Sequence, residues 1–379
     1  MKVRRGFTII ELLIFAAIFS SIMAGLITVL ITMTRVQSRQ SSATDVETQG
    51  QFLLQQFQYY IQTARLVDMV QDAAAGTLKL RELTLAPDPT FVTLATGTVY
   101  LQQGLGGALQ PLTSNKVTVS NLSFIRHYNL NSSSTAYGVD SASYSFTVSA
   151  NTSNTTQQYF QKFQSSAAVT APVPKIALMQ QTSTLVYGTS TNMAGTYIGN
   201  NATGSLLVAV VVNTNLVSIS IGDTAGNAWS NIASTTYAAY NQKITIFAAA
   251  NARNSSNTVT ATLGGSGGYN PSLFLYEYRS ASTSSLVDAS STQTQSNATA
   301  ISSGPATPTS NVELVFGVMY LNTWPATPPV AGSGFTIKSS SSASNTFIED
   351  KNVYVTGPVV ADWALSQAAS SSATVVTFK

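Results

Sequence analysis

An apolar run from Phe7 to Thr34 contains no cation and a single carboxylate, Glu11. At about 28 residues it exceeds the ~20 that span a bilayer as a helix. Lys2, Arg4 and Arg5 precede it, and a basic stretch followed by an apolar one is a membrane-targeting signal. The small residue that could mark cleavage, Gly6, lies before the apolar run, and the run is too long for a signal-peptide core. Cleavage after Gly6 would remove the cations and leave the apolar helix on the mature chain. An uncleaved anchor would keep its cations in the cytoplasm and place the bulk of the chain outside.

The order Arg5-Gly6-Phe7-Thr8-Ile9-Ile10-Glu11-Leu12-Leu13-Ile14 resembles the class III signal of type IV pilins and type II secretion pseudopilins. The resemblance implies that a membrane prepilin peptidase cuts after Gly6 and methylates the new terminus at Phe7. It implies that Glu11 is the filament-assembly carboxylate, pairing with the Phe7 amine of a neighbouring subunit. A carboxylate facing hydrocarbon is costly and persists where it finds a partner. Such a pair, formed only between subunits, would favour the filament and set its axial register. The competing reading is a plain membrane anchor with a tolerated glutamate, which leaves the Gly-Phe-Thr context unexplained.

Charged residues make up 9% of the chain, against about 25% in ordinary soluble domains. Ser, Thr and Asn take their place. Of 18 cations, three lie in the leader; the remaining 15 match 15 acids, so the mature chain is formally neutral. It has no basic field to attract nucleic acid, and no nucleic-acid partner is expected. Cysteine is absent, which excludes a disulfide framework and a thiolate site. Many pilins staple their C-terminal region with a disulfide, and this chain departs from them there.

Beyond Arg35 the apolar pattern narrows to one face: Val46, Leu53, Phe57, Tyr60 or Ile61, and Ala64, with Gly50 on the same stripe. The spacing predicts one helix from Thr8 to about Ala64, ~85 Å long at 1.5 Å per residue. Asp45 to Ala64 resembles the second half of the long helix in larger minor pseudopilins. Gly25 reads as a small residue at a helix–helix contact. Period-two runs at 78–85, 91–94, 98–101, 116–120, 122–126 and 144–148 predict an antiparallel sheet head. Residues 165–175, with Pro172 and Pro174, read as a semi-rigid linker. Runs at 205–212, 216–221, 243–247, 257–263, 272–278, 312–318 and 374–378 then predict a β-sandwich of Ig or jelly-roll type. The fold class expected is α+β: a long pilin helix on an antiparallel sheet head, followed by an all-β sandwich. The divisions are a leader at 1–6, a helix at 7–66 (7–34 transmembrane or filament core), a head at 67–164, the linker, and a sandwich at 176–379. The last resembles a β-sandwich module of bacterial surface proteins at Leu206–Val210, Asp223–Asn227, Leu275–Tyr278, Glu313–Gly317 and Glu349–Lys351.

Enzymatic signals are sparse, no cofactor or metal is expected, and the chain reads as a non-enzyme. His127 is the single histidine and reads as a surface strand position. Gly264-Gly-Ser-Gly-Gly268 lacks the strand–helix context and the lysine of a phosphate loop and reads as a flexible hairpin. Asp223-Thr-Ala-Gly-Asn227 could offer oxygens to calcium but reads better as a turn. Glu349-Asp350 reads as a solvated strand end. Trp229, Trp324 and Trp363, with Tyr237, Tyr240 and Tyr269, could stack on sugars, although such rings are more often core. Trp324, before Pro325, Pro328 and Pro329, is the best candidate for an exposed ligand contact.

The function expected is that of a minor pilin-like subunit of a type IV pilus or pseudopilus. It is assembled through its N-terminal helix and displays the sandwich for adhesion or tip capping. Expected partners are other pilin subunits, the prepilin peptidase, the inner-membrane assembly platform and the cytoplasmic membrane before assembly, with a surface glycan or a host or partner cell as an external one. Expected location is a single-pass cytoplasmic membrane segment with extracytoplasmic C-terminal domains, then an extracellular pilus or periplasmic pseudopilus. The alternative is a membrane-anchored glycan-binding or adhesion protein that does not polymerise.

Overall fold

The computed structural model describes residues 8–82, 88–130, 137–155, 157–279, 286–309, 312–341, 344–354 and 357–379. One helix, α1, runs Ile9–Thr63. Its first half is apolar and exposed all round, and this is the stretch long and apolar enough to cross a membrane. Threonine hydroxyls within it are satisfied by the helix itself. Thr28 donates to the Ala24 carbonyl at 2.9 Å and Thr32 to that of Thr28 at 2.8 Å, so neither needs water. At Gly25 an added β-carbon would meet nothing within 4 Å, so within this chain that position packs against nothing.

The second half of α1 buries one stripe: Val46, Gly50, Leu53, Phe57 and Ile61. Ile61, not Tyr60, continues the stripe. Phe57 meets Phe124, Tyr144 and Phe146 edge-on at 5.3–5.6 Å between ring centroids. Gly50 lies under the Phe163 ring, 2.1 Å from where a β-carbon would sit.

Two antiparallel sheets make up the head. One runs in the order Leu66–Val67, Thr77–Arg81, Thr90–Ala95, Thr98–Gln103, Gln110–Pro111. The other holds Ala74–Ala75, Val117–Leu130, Tyr137–Ala150 and Phe160–Ala168. The runs at 116–120 and 122–126 join into one strand, Val117–Leu130, which continues through Asn121 in a left-handed conformation (φ 53°). Of the run at 78–85, residues 83–85 lie outside the described residues.

Contacts divide the chain into two compact units, one running to Arg126 with Ser141–Ala168, the other His127–Asp140 with Val169–Lys379. The stretch 165–175 does not run as a free linker. Ser165–Ala168 end a strand, and Val173–Pro174 pair with Gly138 and Tyr137. A two-residue edge pairing tolerates the proline's missing donor.

From residue 176 onward the second unit contains the same sandwich twice. The first copy has strands Leu178–Leu185, Asn192–Thr196, Leu206–Asn213, Ile219–Asp223, Trp229–Tyr237, Gln242–Ala249, Thr258–Leu263 and Ser272–Tyr278. Its five-stranded sheet has the order first–eighth–third–sixth–fifth, and its three-stranded sheet second–seventh–fourth. The second copy repeats both orders. In it Val287–Ser302 serves as first and second strand, and Asp362–Phe378 as seventh and eighth. Val312–Leu321, Val330–Ala331, Thr336–Ser341 and Thr346–Tyr354 are its third to sixth strands. This is jelly-roll order and not the immunoglobulin arrangement.

The five-stranded sheets pack face to face. Leu206, Val208, Val210 and Val212 of one meet Leu314, Phe316, Val318 and Tyr320 of the other in one cluster. The alternate residues Leu207, Ala209 and Val211 face their own outer sheet, as do Val315, Met319 and Leu321 in theirs. Both third strands are thus covered on two faces; Leu206–Val212 reads as an unbroken apolar run, and the second copy's strand is apolar but for a buried Glu313.

Candidate functional site

At the N-terminus, Thr8 is the N-cap of α1 and Glu11 its third helical residue. The Thr8 amide and hydroxyl each lie 3.1 Å from Glu11 Oε2, and the Glu11 amide donates to Thr8 Oγ1 at 3.4 Å. This is a capping box. The Thr-x-x-Glu spacing that resembles a prepilin signal therefore also starts the helix. Glu11 is exposed, among apolar side chains that are exposed too. Gly6 and Phe7, expected to carry cleavage and methylation, lie outside the described residues.

Trp324 lies in the loop after the second copy's third strand, stacked on Phe347 with centroids 4.9 Å apart and 22° between planes. The residue is 38% exposed. Of the other candidates, Trp363 is buried in the second core, and Trp229 Nε1 donates to Asp223 at 3.0 Å. Tyr240 and Tyr269 are exposed.

The remaining polar motifs resolve into structure. Asp223 accepts from the Asn227 amide at 2.9 Å, and from Asn227 Nδ2, Trp229 Nε1 and Asn257 Nδ2 at 2.6–3.0 Å. Burial raises its pKa, but these bonds outweigh burial and hold it below the ordinary value. The carboxylate is saturated by donors, which suits a locked turn. Residues 264–268 form a turn whose Gly267 carbonyl accepts from Asn215 at 2.7 Å. His127 lies half-buried on the strand Val117–Leu130.

Glu349 and Asp350 differ from the expected solvated strand end, because the strand Thr346–Tyr354 is central and covered. Asp350 accepts from Tyr278 at 2.7 Å and pairs with Lys338 at 3.2 Å. Glu349 is fully buried, accepts from the Gly332 amide at 3.4 Å, and has Oε1 without a hydrogen bond. Burial pushes it up to about 8. Among the described residues no group of three acidic, His or Cys side chains could hold a metal ion.

Residues 1–27 match the family described as the prokaryotic N-terminal methylation motif. The segment is a pilin-like, prepilin-type signal of the kind a peptidase processes. That family is structural rather than catalytic. No curated protein matches the chain. Among solved structures, a Paenibacillus xanthan lyase at 2.6 Å matches with 11% identity and a TM-score of 0.18, over 79% of this chain and 38% of that one. The chain spans little more than a third of that protein.

The same pattern reasoning missed the duplication. Pairing registers make Leu206 equivalent to Leu314, Val210 to Val318 and Ile246 to Ile348, but few other equivalent positions in these strands are identical. The signal that could have found it is the recurrence of two strongly apolar third strands about a hundred residues apart, the second interrupted only by Glu313 and Gly317.

Proposed function

We propose that this chain is a minor pilin-like subunit of a type IV pilus or pseudopilus. Its leader, residues 1–6, is cut after Gly6 and Phe7 is N-methylated. Glu11 pairs with the Phe7 amine of a neighbouring subunit. The prepilin peptidase, the inner-membrane assembly platform and other pilins are its partners. It rests in the cytoplasmic membrane before assembly, with the rest of the chain outside. The observation that carries the reading is the methylation motif on a helix whose first half exposes apolar side chains all round while its second half packs on a β head. Exposed apolar surface of that extent needs lipid or other helices around it.

The bulk of the second unit argues for a minor role, because repeating it along every subunit would crowd a filament. Display for adhesion or tip capping follows, with Trp324 as one ligand contact. N-terminal mass spectrometry of the exported protein tests the reading. The expected terminus is N-methylated Phe7; one at Met1, or beyond the apolar run, would overturn it.

A further inference from the structure

In the first sandwich copy, the first strand ends, the third ends and the eighth begins at one end of the five-stranded sheet. Leu185 and Val212 both stand opposite Ser272, and Asn213 opposite Lys243. The turn between the fifth and sixth strands lies there too. The loops leaving this end carry Tyr187, Tyr269, Tyr240 and Leu216, exposed by 77, 62, 44 and 42%. Tyr237 packs on Tyr240 at 5.0 Å.

The second copy contributes to the same end. Its third strand finishes at Leu321, opposite Ser371. By register Asn213 is equivalent to Leu321, so the loops that carry Leu216 and Trp324 leave equivalent strand ends. Tyr237 Oη lies 2.6 Å from Ser296 Oγ. The Asn297 amide donates to Ser370 Oγ at 3.3 Å, and the Ser370 backbone amide donates to Oδ1 of Asn322, two residues before Trp324, at 3.0 Å. These hydrogen bonds tie the segments 296–297 and 370 to both the tyrosines and the tryptophan loop.

These loops are tied down. Asn241 Nδ2 donates to the Thr214 carbonyl at 3.0 Å, Thr214 Oγ1 to that of Tyr269 at 2.9 Å, and the Gly188 amide to Asn270 Oδ1 at 2.7 Å. Among the described residues, the loops at 186–191, 214–218, 238–242, 264–271 and 322–329 contain no charged side chain. Lys243, which adjoins them, spends its ammonium on the Val217 carbonyl at 2.9 Å. Arg253 and Arg279 lie beyond the opposite end of the sheet, past Ala249 and Tyr278. Exposed aromatic rings with amides and hydroxyls between them, and no charge, suit a partner that is itself neutral, flat-faced and rich in hydroxyls. Tyrosines supply large contact area with little entropy to lose. Loops already held in place lose less still on binding. Nucleic acid or an anionic lipid would find no cation there.

We propose that this end of the paired sandwiches, from Tyr187 and Tyr269 through Tyr240 and Tyr237 to Trp324, binds a neutral polysaccharide. The proposal rests on the display role proposed above and names its ligand class. The test is retention of the full chain, in detergent, on microcrystalline cellulose, chitin and agarose. Soluble alginate serves as an anionic competitor, with salt raised to about 0.5 M to screen charge. Retention on one or more of the neutral matrices is expected, unaffected by salt or alginate. Tyr187→Ala combined with Tyr269→Ala should weaken it by roughly tenfold or more, with Trp324→Ala weakening it further. Circular dichroism should be unchanged, since both tyrosines are exposed. Failure to bind any of the three, binding abolished by salt, or binding indifferent to the double variant would overturn the proposal. Filament incorporation is scored separately on the same variants. Normal incorporation without polysaccharide binding sinks only the ligand, and binding without incorporation sinks the pilin reading.

Discussion

Gly50 shows how one missing β-carbon sets the helix against the head. Alanine there would gain roughly 0.5–1 kcal/mol of helix propensity. Its methyl would also fall 2.1 Å from the Phe163 ring, which is buried and stacked on Phe146 at 5.5 Å. Overpacking of this kind costs about 1–3 kcal/mol and wins. Gly50→Ala is therefore expected to lower stability in urea titration, and adding Phe163→Leu should recover part of the loss. Equal losses that simply add would show that the two residues do not meet. Glu349 carries a pH dependence. Burial, aided by the charge of Asp362, raises its pKa to about 8 against the opposing pull of the Gly332 amide and Lys351. The folded chain then keeps a proton that the unfolded chain releases near its ordinary 4.5. This contribution to stability is fully present below that value and is lost as pH rises toward about 8. Glu349→Gln mimics the protonated form. Thermal midpoints of the variant should fall less between acid and alkaline pH than those of the parent; parallel profiles would refute the assignment.

At the scale of one element, α1 does two jobs with one surface each. Its second half is amphipathic and packs on the head, while its first half has no polar face at all. Glu11 belongs to both the cap and the proposed assembly contact, and two substitutions separate them. Glu11→Gln retains an acceptor for the Thr8 amide and removes the charge; Glu11→Ala removes both. If charge pairing drives assembly, the two variants should be depleted equally from sheared filaments while membrane insertion and cleavage proceed. If capping alone matters, the glutamine variant should assemble at the parental level.

Across the whole molecule, the second unit is built by pairing two sandwiches through sheets that are apolar on both faces. Arg279, just past the first copy's last strand, forms a 2.7 Å ion pair with Asp140, donates to the Pro174 carbonyl at 3.2 Å and lies 5.1 Å from the centre of the Tyr128 ring. Asp140 is wholly buried, and Arg279 nearly so. Removing one member of a buried pair leaves the other uncompensated, at about 3 kcal/mol. Asp140→Ala is expected to lower the calorimetric transition of this unit by that order, and Arg279→Leu added to it should restore much of the loss. A fragment from Lys175 to Lys379 is expected to unfold cooperatively with a β-rich spectrum, because both sandwich cores lie within it. Its midpoint should be lower than in the whole chain, since Asp140 and the strand Val173–Pro174 are missing. An aggregated or disordered fragment would refute independent folding.

The prepilin-type signal, the single long helix, the stripe from Val46 to Ile61 and the β-rich remainder were legible in the sequence. Each depends on neighbours close along the chain: a run of apolar residues, a cap three residues from its acid, a period of three and four, or of two. The turn at Asp223 was legible for the same reason, as its donors lie within a few residues except Asn257. What depended on distant partners was not. Nothing local distinguishes Glu349 on a covered strand from a glutamate on a solvated one, and the central position of Thr346–Tyr354 is fixed by strands on either side of it. The duplication was hidden because a buried sheet asks only for apolar residues of fitting volume, so two copies can keep one strand order with few identities. The gathering of Tyr187, Tyr240, Tyr269 and Trp324 at one end was hidden too. Residues more than a hundred positions apart share that surface through strand order and face-to-face sheet packing, and only the tertiary structure decided those.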